Sequence, residues 1–210
     1  LATSNPDPDA HALRPAGRST AKSRRPATAS VVLHWLGMAA LFAALAAGLV
    51  VHRLASCCQP QYWPTYNLHA SLGLTVLALV AMRALFRLLR PWPALPAGMP
   101  AWQRLAAHGT HTALYVLMVA LPVAGWSVVS APGCCHINPF VFGLFTLPSL
   151  DPAPLPDRAA AFAVHSTLAW IAMGLIALHA AAALLHHFVL KDATLARVTP
   201  GLRPKSGPDA

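Results

Sequence analysis

The sequence predicts an all-α membrane protein, a bundle of four transmembrane helices with both termini in the cytoplasm. Three observations carry this reading. Of the 210 residues, 56% are hydrophobic and only 10% are charged, whereas a soluble domain carries about 25% charged residues. Four apolar stretches each reach the roughly 20 residues that a helix needs to cross a bilayer. Finally, Lys and Arg divide unevenly between the two sides that these stretches define. The N-terminal segment holds Arg14, Arg18, Lys22, Arg24 and Arg25, the second connector Arg83, Arg87, Arg90 and Arg104, and the C-terminus Lys191, Arg197, Arg203 and Lys205. The first and third connectors hold one each, Arg53 and Arg158. The positive-inside rule puts the richer side in the cytoplasm.

The elements follow in order. Residues 1–27, rich in Pro, Ser, Ala and Arg, read as a disordered basic tail. The first thirty residues hold no apolar run before a cleavage site and so predict no secretory signal. A first helix is expected over about Val31–Val51, with Thr28 or Ser30 as its cap. After a short loop with Cys57, Cys58, Pro60 and Pro64, a second helix covers roughly Asn67–Leu89. Prolines 91, 93, 96 and 100 make the next segment an extended connector. Trp102 opens an amphipathic entry to a third helix over roughly Arg104–Val129, in which Pro122 is expected to cause a kink. A longer loop, about 130–157, carries Cys134 and Cys135. The fourth helix runs from about Asp157 or Arg158 to Leu190, longer than a bilayer core requires.

Composition also excludes some functions. The net charge of +9 does not point to nucleic acid, because most of the basic residues flank membrane segments. The chain has no glutamate, and none of its six aspartates falls inside an apolar stretch. An acidic proton relay in the membrane core is therefore not expected.

Histidine is the polar residue that does enter the apolar segments. His34 lies in the first, His69 in the second, and His165 and His179 in the fourth. A buried imidazole needs a partner, because lipid supplies none. His165 and His179 are fourteen residues apart, about 21 Å along a helix and within about 40° of one face. With the predicted topology, His69 and His165 share the outer depth, and His34 and His179 the inner one. That is the geometry of two stacked haems, each held by two imidazoles. A centre with no open axial position suits electron transfer better than oxygen binding. Ala70, Gly73, Gly174 and the run Ala180–Ala183 would let a flat macrocycle approach the backbone.

Each histidine alone also fits a simple hydrogen bond to a neighbouring helix. His108 and His111, near the inner end of the third helix, fit several roles: a ligand in place of His34, a propionate contact, the lining of a quinone pocket, or a place among lipid headgroups. His52 and His136 are expected in outer loops and His11 in the tail, all exposed to solvent.

These stretches together resemble the bacterial cytochrome b561 family of four-helix dihaem membrane proteins. The matching segments are Ser30-Val-Val-Leu-His-Trp35, Tyr66-Asn-Leu-His-Ala-Ser-Leu-Gly73, Leu114 to Trp126, Phe142-Gly-Leu-Phe-Thr-Leu-Pro148, and His179 to His187 followed by Lys191-Asp192. The resemblance implies a transmembrane domain over 28–200, between the tail 1–27 and a C-terminal tail 201–210. It implies a multi-pass protein of the bacterial inner membrane, in contact with lipid. It implies two haem b groups on His34, His69, His165 and His179, the set reached from spacing.

One branch of the family is the superoxide oxidase type, which passes an electron from superoxide outside to ubiquinone. By that resemblance His186 and Lys191 border the quinone site. Their positions agree in part: His186 lies seven residues beyond His179, about 10 Å further toward the cytoplasm and on nearly the same face. There it can bond or protonate a quinone carbonyl, and Lys191 can favour negative charge developing on the quinone. Both also fit the simpler role of interfacial anchors. An anionic donor benefits from a positive funnel, yet the outer loops hold only Arg53 and Arg158 against Asp151 and Asp157. Either the two arginines converge on the haem edge or the periplasmic donor is something other than superoxide. The alternative function is a non-enzymatic electron-transfer or anchor subunit that docks a soluble periplasmic redox protein.

Cys57-Cys58 and Cys134-Cys135 fall in the two outer connectors and are not part of the family pattern. An oxidising periplasm permits disulfides, and bonds across the loops avoid the strained ring of an adjacent pair. Such bonds would clamp the first and third loops over the outer haem. The competing reading is a metal or redox site that includes His136.

Overall fold

The computed structural model describes residues 28–53, 60–90, 99–132, 138–150, 157–192 and 194–199. Four helices within these ranges are long and apolar enough to cross a membrane. They are α1 (Thr28–Arg53), α2 (Trp63–Leu89), α3 (Ala101–Ser130) and α4 (Arg158–Phe188). The tails 1–27 and 201–210, all four cysteines, and His11 and His136 lie outside the described residues.

Helix ends depart from the sequence expectation for local reasons. Thr28 and Ser30 both lie inside α1, so neither caps it. His52 belongs to the last turn of α1 instead of a loop, where its ring stacks on Phe162 at 5.6 Å. α2 starts four residues earlier than expected, at Trp63, with Pro64 in its first turn; the fixed φ of proline starts a helix there and does not break it. A short 3₁₀ turn, Pro60–Tyr62, leads into it. α3 begins directly after Pro100 and runs through Pro122 to Ser130. Asp157 caps α4, its Oδ1 accepting the Ala160 amide at 2.9 Å.

The main contacts join α1 to α2, α3 to α4, and α2 to α3. Small residues let α1 approach closely. Ser30, Gly37, Ala44 and Ala47 are its buried positions, the first three recurring every seven residues, so one narrow stripe meets its neighbour. Val76 and Val80 are buried on α2. Leu117, Leu121 and Ala172 form an apolar cluster between α3 and α4. Large side chains such as Phe42, Leu85, Val116 and Ile171 are exposed instead, which is the pattern of a bundle solvated by lipid.

The connector after α3 is not the plain loop expected. It contains a two-stranded antiparallel hairpin, β1 (Phe140–Val141) and β2 (Phe145–Thr146), pairing Phe140 with Thr146 and Val141 with Phe145. Its turn places Phe142 at φ 46° and Gly143 at φ 71°; a bulky residue in that region costs about 1–3 kcal/mol. Tertiary bonds hold it there. Ser71 Oγ accepts the Phe142 amide at 2.9 Å, and Asn67 Oδ1 accepts the Phe140 amide at 3.1 Å. Beneath the hairpin, Val129, Val141 and Leu147 pack with Tyr66, Leu74 and Trp126. The hairpin thus covers one end of the bundle. The opposite end carries Arg83 and Arg87 near the close of α2.

Candidate haem centre

At the hairpin end, α2 and α4 bring His69 and His165 together. Their ring centroids are 5.9 Å apart and the planes are nearly perpendicular, at 79°. Each ring is held from behind by a backbone carbonyl. His69 Nδ1 donates to the Ala44 oxygen at 2.9 Å, and His165 Nδ1 donates to the Leu121 oxygen at 3.0 Å. A carbonyl can only accept, so the proton of each neutral ring sits on Nδ1, and each Nε2 keeps its lone pair. This is the arrangement by which a buried histidine is oriented for a metal.

The same device is built twice. Four residues beyond each accepting carbonyl stands a glycine, Gly48 after Ala44 and Gly125 after Leu121. A Cβ on Gly48 would lie 2.8 Å from His69 Cε1, and one on Gly125 would lie 3.1 Å from His165 Cε1. The missing side chains are what let each imidazole reach across to a carbonyl on the neighbouring helix.

Both rings face a cavity of about 690 Å³ whose walls come from all four helices. Ala70, Gly73, Leu74 and Met118 are among its apolar walls, and Arg158 and His52 also line it. The donor set and the largely apolar cavity fit a haem. Of the small residues expected to admit it, Ala70 and Gly73 do line the cavity. Gly48 and Gly125 were not expected, because their role depends on a ring that arrives from another helix.

At the arginine end, the rings in contact are those of His111 and His179, 5.3 Å apart. His34, His111, His179 and Arg83 lie within electrostatic reach of one another. His34 Nδ1 meets Arg83 Nη1 at 2.7 Å. A guanidinium can only donate, so in this arrangement Nδ1 of His34 accepts and Nε2 carries the proton. Iron ligation through that Nε2 asks Arg83 to let go. Arg83 also donates from Nε to the Tyr115 hydroxyl at 3.0 Å, and Arg87 lies over the Tyr115 ring. His108 is exposed while His111 is half-buried, which separates two histidines that spacing had left equivalent.

Beyond α4 the chain turns sharply. Lys191 adopts φ 54°, a left-handed conformation unusual for a residue with a long side chain. The turn brings Asp192 back under the helix end, where its amide donates to the His186 carbonyl at 3.1 Å. The Asp192 carboxylate accepts from His186 Nδ1 at 2.5 Å and from the Thr194 amide at 2.8 Å. Burial works to raise the Asp192 carboxyl, but the bonds from His186 and Thr194 outweigh it and hold the group below its ordinary range. The following segment, with a 3₁₀ turn at Leu195–Arg197, is tied to α1 by Trp35 Nε1, which donates to the Val198 oxygen at 2.6 Å. Lys191 is exposed.

Comparison with known proteins points the same way as this geometry. The model of a family described as prokaryotic cytochrome b561 matches residues 26–201. The chain is 36% identical over 175 residues to cytochrome b561 homolog 2 of Escherichia coli (strain K12), covering 80% of this chain and 88% of that one. It is 38% identical over 137 residues to the probable superoxide oxidase CybB of Yersinia pestis, covering 65% and 75%. Cytochrome b561 homolog 1 of Escherichia coli (strain K12) is 30% identical over 177 residues, covering 81% and 94%.

Proposed function

Since this chain belongs to the prokaryotic cytochrome b561 family of membrane b-type cytochromes, we propose that it carries electrons across the bacterial inner membrane from a periplasmic donor, superoxide, to ubiquinone. The observation that carries this reading is the His69–His165 pair, whose Nδ1 protons are both spent on backbone carbonyls. When bound, two b-type haems supply a one-electron relay between the membrane faces. His69 and His165 would hold one of them, and His34 and His179 the other, with His111 beside His179. Haems held by two imidazoles each would supply electron transfer.

The hairpin end faces the periplasm and the arginine end the cytoplasm, by the balance of basic residues. A reporter fused after Ala210 is therefore expected to signal from the cytoplasm, and a periplasmic signal would reverse the scheme. Superoxide is supported by Arg158, which lines the cavity at the hairpin end and can draw in an anion. Arg53, at the last turn of α1, is exposed. Cross-loop disulfides among Cys57, Cys58, Cys134 and Cys135 would fasten the covering loops at that end.

His186 and Lys191 border the quinone at the other face, His186 bonding or protonating a carbonyl oxygen. Purified protein given superoxide and ubiquinone is expected to reduce the quinone. Failure of superoxide to reduce the protein, with a copurifying periplasmic redox protein that does, would favour the docking-subunit alternative. Replacing His186 by Ala is expected to slow quinone reduction and leave the visible spectrum intact; unchanged turnover would remove His186 from the site.

A further inference from the structure

The pairing of His186 with Asp192 gives the quinone-side chemistry a residue that nothing above assigns. We propose that Asp192 is the positioning residue of the quinone site: its carboxylate holds the Nδ1 proton of His186, which makes Nε2 the atom that hands a proton to a quinone carbonyl oxygen. The inference rests on the quinone reading of His186 and goes one residue further.

Three features of the turn support it. The contact is short, at 2.5 Å, and the His186 side chain is 16% exposed, so water competes weakly for its ring. The carboxylate is itself fixed, its second oxygen accepting the Thr194 amide at 2.8 Å. The backbone also accepts an unfavourable conformation to make the contact: Lys191 sits at φ 54° where glycine is the usual choice. Strain of that kind persists where the surrounding structure fixes it, and it gathers at functional sites. A plain helix end needs none of these.

The chemistry balances as follows. Reducing one ubiquinone to the quinol takes two electrons and two protons. Two superoxide ions supply the electrons, one each, and leave as dioxygen. One proton passes from Nε2 of the doubly protonated His186 ring to a quinone oxygen, the Nε2–H bond breaking as the O–H bond forms while the Nδ1 proton stays on the ring toward Asp192, and the other comes from interfacial water. Nε2 then recovers its proton from water. Asp192 stays ionised throughout. It fixes the ring's orientation and tautomer and stabilises the imidazolium, the role a buried carboxylate plays toward a catalytic histidine elsewhere.

The test uses the full-length haem-loaded protein and its D192N, D192E, H186Q and H186Q/D192N variants. Asn keeps the bond from Thr194 and loses the charge toward His186. For D192N, kcat for ubiquinone reduction is expected to fall roughly ten- to hundredfold, with the KM for quinone, the haem spectrum and the rate of haem reduction by superoxide all unchanged. D192E is expected to recover part of kcat. Because the two residues act as one unit, the double variant should be no slower than H186Q alone. Wild-type kcat in D192N, or losses in the double variant that simply multiply, would overturn the role of Asp192. A wild-type protein that superoxide reduces but that passes nothing to quinone would overturn the quinone reading itself, a distinguishable result. If D192N loses haem, the H186Q and D192E comparison still decides: a D192E protein with full haem and no recovered kcat would count against the proposal.

Discussion

Replacing His165 by Ala is expected to remove one low-spin haem signal, to cut haem content by up to about half, and to abolish electron delivery from superoxide to quinone. The expectation follows from how the ring is held. Its Nδ1 is committed to the Leu121 carbonyl, and its partner His69 is committed to Ala44 in the same way, so each contributes one pre-aimed nitrogen to one centre. Ala at this position leaves His69 as the remaining imidazole of the pair. The haem at the other end should survive, because His179 lies about 21 Å further along α4. Changing His179 as well is expected to alter the second low-spin signal, with His111 as the imidazole left beside that centre. Haem-to-protein ratio and low-temperature electron paramagnetic resonance read both outcomes. Two unaltered low-spin signals in the double variant would end the assignment.

The two ends of the bundle should differ in their tolerance of a lost ligand. At the arginine end, His111 already touches His179, so a His179→Ala variant has a second imidazole at hand. The sequence showed His111 only as one of several candidates. Its distinction from His108 is rotational: the two are three residues apart on α3, and the packing of that helix leaves one half-buried and the other exposed.

The four spans were legible because lipid imposes a length and an apolar composition on any helix that crosses it. The matched depths of His69 and His165 were legible because a helix converts residue number into distance. What stayed hidden was set by other parts of the chain. The hairpin at Phe140–Thr146 depends on Asn67 and Ser71 accepting its amides from α2, and no local pattern announces a phenylalanine at positive φ. The early start of α2 at Trp63 was obscured because Pro60 and Pro64 read equally well as loop residues. Asp192 stood in the sequence only as part of the matching Lys191-Asp192 stretch, with no role until the turn at Lys191 returned it to His186.

Gly48 is where helix propensity and packing predict opposite signs, and packing is expected to win. Ala is better than Gly inside a helix by about 1 kcal/mol, so on propensity alone Gly48→Ala and Gly125→Ala should both stabilise the protein. Yet the new Cβ would sit 2.8 Å from the His69 ring at Gly48 and 3.1 Å from the His165 ring at Gly125. Neither ring can simply step aside, because moving it stretches the bond from Nδ1 to the carbonyl one turn back on that same neighbouring helix. The first contact lies below any normal carbon–carbon approach, while the second asks for a few tenths of an ångström. Gly48→Ala is therefore expected to weaken haem retention at the hairpin end by roughly tenfold or more, the scale of losing an orienting partner. Gly125→Ala should keep the haem with a shifted midpoint potential. The order of the two effects is the sharper test. Equal haem retention in wild type and Gly48→Ala, or a larger loss from Gly125→Ala, would mean that the carbonyl–glycine device does not hold these rings.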